Sequence, residues 1–147
     1  MNRLELLHRY QAAVAAGQQP RLSGADLFQV DLSRLELPGI ILSRANLKGS
    51  FFVESDLQSA DLSAANLAGA FLNRVDLSGA NLSHADLSGA NLSQANLQRA
   101  NLVKADLREA NLFRANLDQA TLAGARANVR TRWPDDYNPI AAGVEMS

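Results

Sequence analysis

Leucine recurs at every fifth position over most of this 147-residue chain, and this period limits the possible folds more than any other feature. From Leu22 to Leu122, twenty of twenty-one such positions are leucine, and Phe52 is the exception. The residue two before the centre is alanine in fifteen repeats, and the residue one before it is Asp or Asn in fifteen. No insertion breaks the phase, so the consensus repeat is A-(D/N)-L-x-x.

A five-residue period fits neither an α-helix nor a straight strand. Five residues advance a helix by about 500°, which would distribute the leucines over all of its faces. On a strand, an odd period would send successive leucines to opposite faces. The leucines can share one interior if the chain turns a corner every five residues, so that four sides make a coil of about twenty residues. Residues 25–124 then predict five coils stacked about 4.8 Å apart, in a rod about 24 Å long.

The repeat resembles that of the pentapeptide-repeat family, over roughly residues 21–127. The resemblance implies a right-handed, four-sided β-helix in which the central residue and the residue two before it point inward. The same division into inside and outside follows from which positions are apolar, whereas the handedness comes from the resemblance alone. The predicted fold is an all-β solenoid: a right-handed quadrilateral β-helix of about five 20-residue coils, with an N-terminal α-helical cap and a C-terminal loop cap.

The interior is predicted to be a ladder of leucine and alanine, which accounts for an aromatic content of only 5%. The bulky centre Phe52 has the small Ser50 two residues before it, and this pairing of large with small suits a close-packed interior. The Asp and Asn side chains are expected to bond nearby backbone amides at the corners.

Both ends of such a rod need a cap, because an open coil exposes unpaired backbone and apolar surface. Residues 1–20 predict an N-terminal helical cap, with Asn2 as N-cap and Glu5 three residues later as its box partner. The residues expected to share its apolar face are Leu4, Leu7 and Val14.

Residues 128–147 are predicted to form the C-terminal cap, which follows the repeat domain of residues 21–127. Their W-P…Y-N-P pattern resembles the closing segment of many cyanobacterial pentapeptide-repeat proteins. Trp133 and Tyr137 are therefore expected to fold over the last coil. The alternative is an aromatic loop that binds a ligand.

The sequence predicts no enzyme, no metal and no cofactor. Catalytic groups converge in concave sites, whereas a square rod has flat or gently ridged sides. The chain has no cysteine, and His8 and His84 are both expected on the surface. A column of carboxylates at Glu36, Asp56 and Asp76 offers oxygen ligands for a cation, but turn amides or solvent are the favoured partners.

Outward residues that depart from the repeat are the candidate interaction patch. Phe51 and Phe71 stand where most repeats have Asp or Asn, and their spacing of twenty residues predicts that the rings stack. Val53 lies beside them, and Ile41 makes the same substitution on an adjacent side. The alternatives are that the N-terminal helix covers the rings, or that they form a tolerated surface ladder.

Charged residues on the same side predict a ladder between coils. The last residues of five successive repeats on that side are Arg34, Glu54, Arg74, Gln94 and Arg114. Pairs of opposite charge at such positions stabilise neighbouring strands by a few tenths of a kcal/mol, roughly, on an exposed surface. A stabilising ladder is favoured over a stripe that binds a partner.

The favoured function is a rigid, non-catalytic protein–protein interaction or regulatory scaffold with an unknown partner. Some members of the family mimic DNA and modulate DNA gyrase, but the resemblance then implies a strongly acidic rod. Residues 25–124 carry eleven acidic and eight basic residues, in mixed columns. A self-associating structural module is the third possibility, so that the chain is expected to be a monomer or a weak homodimer.

Net charge and hydropathy indicate which classes of partner and which cellular location to expect. A net charge of −1 predicts no bulk attraction to nucleic acid or to anionic lipid. No apolar run approaches the roughly 18 residues of a membrane helix. With a polar N-terminus, these features predict a cytoplasmic protein.

Overall fold

The chain coils once every twenty residues. The structure, a computed structural model, describes residues 1–147 and contains one helix, α1 (Arg3–Ala15), and two short strands, β1 (Arg126–Ala127) and β2 (Glu145–Met146). Between α1 and β1, isolated parallel bridges follow one another. Every bridge from Arg21–Ile41 to Asp106–Arg126 joins residues twenty apart. The fold is therefore a β-solenoid with the coil length that the sequence period predicts.

The repeated leucines and alanines form one continuous core along the rod. Every central residue from Leu22 to Leu122 is buried, including Phe52. The buried hydroxyl groups beside Phe52 are satisfied locally: Ser50 Oγ donates to the carbonyl of Leu47 at 2.6 Å. The core therefore holds a small polar residue beside its one large ring without an unpaired hydroxyl.

Left-handed backbone and side-chain caps form the corners. The fifth residue of a repeat has positive φ throughout, for example +59° at Arg34 and +66° at Gly89. The Asp or Asn of each repeat accepts a hydrogen bond from the amide two residues later. Asp31 Oδ1 accepts from Ser33 N at 2.9 Å, and equivalent bonds recur at Asn91 and beyond. These bonds confirm the structural role predicted for the Asp/Asn column.

Successive coils are joined by hydrogen bonds in both directions along the rod. The N–H of a central leucine donates to the following coil, as from Leu27 to the carbonyl of Asn46 at 2.8 Å. The N–H of Asn46 donates back to Ala25 at 2.9 Å. No coil precedes the first coil, so its carbonyls have no backbone N–H groups of an earlier coil from which to accept hydrogen bonds.

Helix α1 supplies donors to these first-coil carbonyls. Arg3 Nη1 donates to the carbonyl of Asp31 at 2.9 Å, and Tyr10 Oη donates to that of Pro38 at 3.0 Å. Leu6, between them on the helix, is fully buried in the core cluster. Side chains of α1 thus take the place of the N–H groups of a missing coil.

The apolar face predicted for α1 is wrong in two of its three residues. Leu4 is 78% exposed and Val14 is also exposed, whereas Leu7 is half-buried. The face of α1 that is buried or half-buried has the spacing of one helical face. Its members are Arg3, Leu6, Leu7 and Tyr10, so two of the four carry polar groups. Asn2 is the N-cap as predicted, because its Oδ1 accepts from Glu5 N at 2.9 Å. The Glu5 carboxylate instead pairs with Arg9.

The register slips after Ala127. Asn111 bridges Arg132, twenty-one residues away, and β1 pairs in parallel with β2 so that Arg126 lies opposite Glu145. Sequence reasoning missed β2, because its residues carry no repeat pattern. Trp133 and Tyr137 are partly buried against the core and stack on each other, with ring centroids 5.3 Å apart. No helix in the structure has the length and apolar character needed to cross a membrane.

Candidate functional site

Two exposed phenylalanines stack on one side of the rod. The rings of Phe51 and Phe71 are 4.7 Å apart between centroids and 4° from parallel. They are bridge partners, and neighbouring strands lie about 4.7–4.9 Å apart, so the backbone holds the rings at this distance. Phe51 is 38% exposed and Phe71 is 42% exposed, so α1 does not cover them. Val53 lies half-buried in the same coil.

Ile41 does not belong to this exposed patch. Its side chain is buried, so the prediction that it contributes to an interaction surface is wrong. Its bridge partners on the two sides are Arg21 and Asp61, and its N–H donates to the carbonyl of Pro20 at 2.8 Å. The segment that leaves α1 for the first coil therefore runs alongside it.

Four charged or polar residues form a ladder beside the two rings. Arg34 Nε lies 3.5 Å from Glu54 Oε2, and Arg74 Nη1 lies 3.4 Å from Glu54 Oε1. Arg74 also donates to Gln94 Oε1 at 3.3 Å. All of these groups are solvent-exposed, so each pair stabilises the fold only slightly. We call the surface formed by Phe51, Phe71, Val53 and this ladder the aromatic face.

The ladder ends at Gln94 and does not extend to Arg114. The Arg114 guanidinium lies 5.0 Å from the centre of the Phe113 ring, and that of Arg132 lies 4.0 Å from it. Phe113 is therefore a cation–π centre with two partners. Sequence reasoning missed Arg132 because the register slips by one residue before it.

The acidic and histidine side chains of the described residues are spread along the rod. No group of three or more His, Cys, Asp or Glu residues is placed to hold a metal ion. In the carboxylate column, Asp56 and Asp76 each accept the amide two residues later, at 2.9 Å. The hydrogen bond from the Arg108 guanidinium lowers the pKa of Asp106, and the amide of Ser33 lowers that of Asp31. The largest cause of each shift in pKa is a local hydrogen bond from a residue two positions later.

Two clefts interrupt the sides of the rod. One, of about 260 Å³, is lined only by polar residues and glycine between Gln58 and Arg99. The other, of about 280 Å³, lies between residues 115–118 of the repeat and residues 134–137 of the C-terminal segment. Neither was predicted from the sequence.

Comparison with known proteins identifies the repeat. The family model described as pentapeptide repeats matches residues 21–58, 55–94 and 90–126, in eight copies. A comparison with curated proteins found no match. Among solved structures, the pentapeptide repeat protein Rfr23 from the cyanobacterium Cyanothece 51142 is 32% identical, with a TM-score of 0.81 over 88% of this chain and 98% of that one.

Two further structures show the same architecture. The pentapeptide repeat protein alr5209 from Nostoc PCC 7120 is 34% identical over 99% of this chain and 96% of that one, with a TM-score of 0.53. QnrB1, a plasmid-mediated fluoroquinolone resistance protein, is 20% identical over 86% of this chain and 82% of that one, with a TM-score of 0.58. The likeness to QnrB1 shows the fold alone. The chain belongs to the pentapeptide-repeat family, and its solenoid is a right-handed β-helix.

Proposed function

We propose that this protein is a non-catalytic scaffold that binds a partner protein through the aromatic face. In this proposal it is a rod of five coils, closed by α1 at one end and by residues 128–147 at the other. The observation that carries the proposal is the stacked and exposed pair of Phe51 and Phe71, at positions where most repeats have Asp or Asn.

The geometry of the two rings favours binding. Aromatic side chains provide much of the binding energy in protein interfaces, particularly when a polar rim surrounds them. Here Glu54 and Arg74 lie in the same two coils as the rings and are already paired with each other. Because the backbone bridge fixes the ring spacing, a partner would meet a preformed surface and lose little entropy in ordering it.

Substitution of both rings by asparagine tests this proposal. Phe51→Asn/Phe71→Asn restores the residue type that the repeat carries at these positions, so the solenoid is expected to remain folded by circular dichroism. Phe28→Ser is the matched control, because Phe28 is exposed on another side. In affinity capture from host extract, we expect a protein that the wild type and the Phe28→Ser variant retain equally and the double variant retains at least tenfold less. Equal recovery by all three would contradict the proposal.

Self-association and DNA mimicry, the two alternative functions, predict different results with the same protein variants. If the aromatic face joined two copies of this chain, sedimentation would show a wild-type dimer that the double variant loses. If the protein mimicked DNA, it would change supercoiling by DNA gyrase at micromolar concentration. We expect no such change, because acidic and basic residues alternate along the aromatic face. The proposal includes a cytoplasmic location, which fractionation of host cells tests.

A further inference from the structure

One side of the rod ends without a strand over its last coil. On each of the two neighbouring sides, the C-terminal segment accepts a hydrogen bond from the last coil. Leu112 N donates to the carbonyl of Arg132 at 2.7 Å, and Gly124 N donates to that of Gly143 at 3.0 Å, although Leu122 N has no backbone partner. On the side between them, the N–H groups of Leu117 and Gln119 and the carbonyl of Ala115 have no backbone partner. Residues 133–137 form no bridge with this side, and Tyr137 N donates instead to the carbonyl of Pro134 in a local turn at 3.2 Å.

The equivalent groups of the preceding coil show which hydrogen bonds the three unpaired backbone groups would form with a further strand. There, Leu97 N donates to the carbonyl of Asn116 at 2.8 Å, and Arg99 N donates to that of Asp118 at 2.9 Å. The carbonyl of Ala95 accepts from Asn116 N at 2.9 Å. The three unpaired groups of the last coil are the equivalents, twenty residues later, of these donors and this acceptor. They are therefore spaced to pair with one more parallel strand.

The unpaired edge borders the 280 Å³ cleft. Residues 115–118 line one side and residues 134–137 line the other. Leu117 is 8% exposed, whereas Leu97 in the preceding coil is fully buried. The cleft thus lies beside unpaired backbone and a leucine that is still buried but less completely covered than its equivalent in the preceding coil, and unpaired strand edges are where strand addition occurs. We call this cleft the end slot.

The end slot is acidic. Asp118, Asp135 and Asp136 line it and are solvent-exposed. None of the three forms an ion pair within the chain. An occupant with a positive charge would therefore meet carboxylates that no other cation neutralises.

We propose that the end slot binds an extended peptide segment with a basic side chain as an additional parallel strand. The peptide carbonyls accept from Leu117 N and Gln119 N, and one peptide N–H donates to the carbonyl of Ala115. A lysine or arginine of the peptide reaches the three aspartates. This site is separate from the aromatic face, and the proposal does not depend on it.

Trp133 provides a direct measurement of binding. It is the only tryptophan, and it stacks on Tyr137, which lines the end slot. Titration with Ac-Thr-Val-Arg-Val-Thr-amide is expected to change its fluorescence in a saturable manner, and a peptide with Glu in place of Arg is expected to bind at least tenfold more weakly. No saturable change, or equal affinity for the two peptides, would overturn the proposal.

Charge variants of the protein test the acidic wall. Asp118→Asn/Asp135→Asn is expected to weaken binding of the arginine peptide at least tenfold. Asp76→Asn is the matched control, because it removes one carboxylate from the repeat, where asparagine is equally common, and it is expected to leave the affinity unchanged. Unchanged affinity in the double variant would overturn the role of the aspartates.

Methylated peptides test the added strand. Alternate residues of a strand direct their N–H groups to opposite edges, so N-methylation of one set of alternate amides should abolish binding and methylation of the other set should not. On binding, the amides of Leu117 and Gln119 are expected to become protected from hydrogen exchange. Equal binding of both methylated peptides would overturn strand addition. Protection of these amides in a peptide-free dimer would instead identify a second copy as the occupant and overturn the proposal.

Discussion

Leu6 is predicted to be the side chain through which α1 stabilises the first coil. It is fully buried in the core cluster, whereas Leu4 is 78% exposed on the same helix. A buried Leu→Ala substitution costs about 2–5 kcal/mol, and a site at the end of the rod can relax partly, so we expect about 3 kcal/mol for Leu6→Ala. Leu4→Ala is the matched control and should change stability by less than about 0.5 kcal/mol.

Hydrogen exchange measures this effect coil by coil. In a solenoid each coil contacts only its neighbours, so loss of α1 packing should open the first coil before the others. A change of about 3 kcal/mol corresponds to a roughly 100-fold change in the opening equilibrium. The amides of Leu27, Leu32 and Leu37 should therefore exchange about 100-fold faster in Leu6→Ala, while those of the central coils change little.

The result that would refute this reasoning is specific. If Leu6→Ala and Leu4→Ala had the same exchange rates in the first coil, α1 would not stabilise it through Leu6. Fluorescence of Trp133 provides a second check, because it lies at the other end of the rod. An equal loss of stability at both ends would show that the rod unfolds as one unit and would contradict unfolding coil by coil.

Two further predictions concern acid stability and the corners. The pKa values of Asp31 and Asp106 are lowered in the folded state, so the stability that they provide is present above the ordinary Asp pKa of 3.8 and is lost as pH falls through the lower folded values. Urea unfolding below pH 3.8 should therefore show a smaller loss of stability in Asp106→Asn than in the wild type. At the corners, Ala64 and Gly89 have φ of +55° and +66°. A left-handed residue other than glycine costs about 1–2 kcal/mol, and glycine loses about 0.5–1 kcal/mol more entropy on folding, so Ala64→Gly should stabilise by about 0.5 kcal/mol and Gly89→Ala should destabilise by a similar amount. Shifts in the same direction would contradict this account.

The regular part of the molecule could be predicted from the sequence because one period determines it. Five residues per side place each central leucine inward and each residue beside its equivalent twenty positions later. For that reason the stacking of Phe51 on Phe71 and the pairing of Arg34 and Arg74 with Glu54 follow from spacing alone. The Asp/Asn caps follow from the same spacing.

The parts that sequence reasoning missed lie where that period ends. The face of α1 includes Arg3 and Tyr10, because unpaired carbonyls of the first coil need donors, and a search for apolar residues overlooks them. The end slot depends on a register slip of one residue before Arg132 and on the return of the chain at β2. Neither departure has a repeated pattern, so neither could be inferred from spacing.

The direction of the hydrogen bonds between coils gives the rod an electrical polarity. In each five-residue unit, two N–H groups donate to the following coil and one donates to the preceding coil. Leu27 N and Gln29 N donate forward, for example, whereas Asn46 N donates back. Peptide dipoles therefore do not cancel, and the positive end lies at the C-terminal coil, the reverse of an α-helix. Two side chains complement this field: Arg3 lies at the carbonyl-rich end, and Asp118 lies at the N–H-rich end. Two such rods would therefore attract each other head to tail and repel when aligned side by side in the same direction.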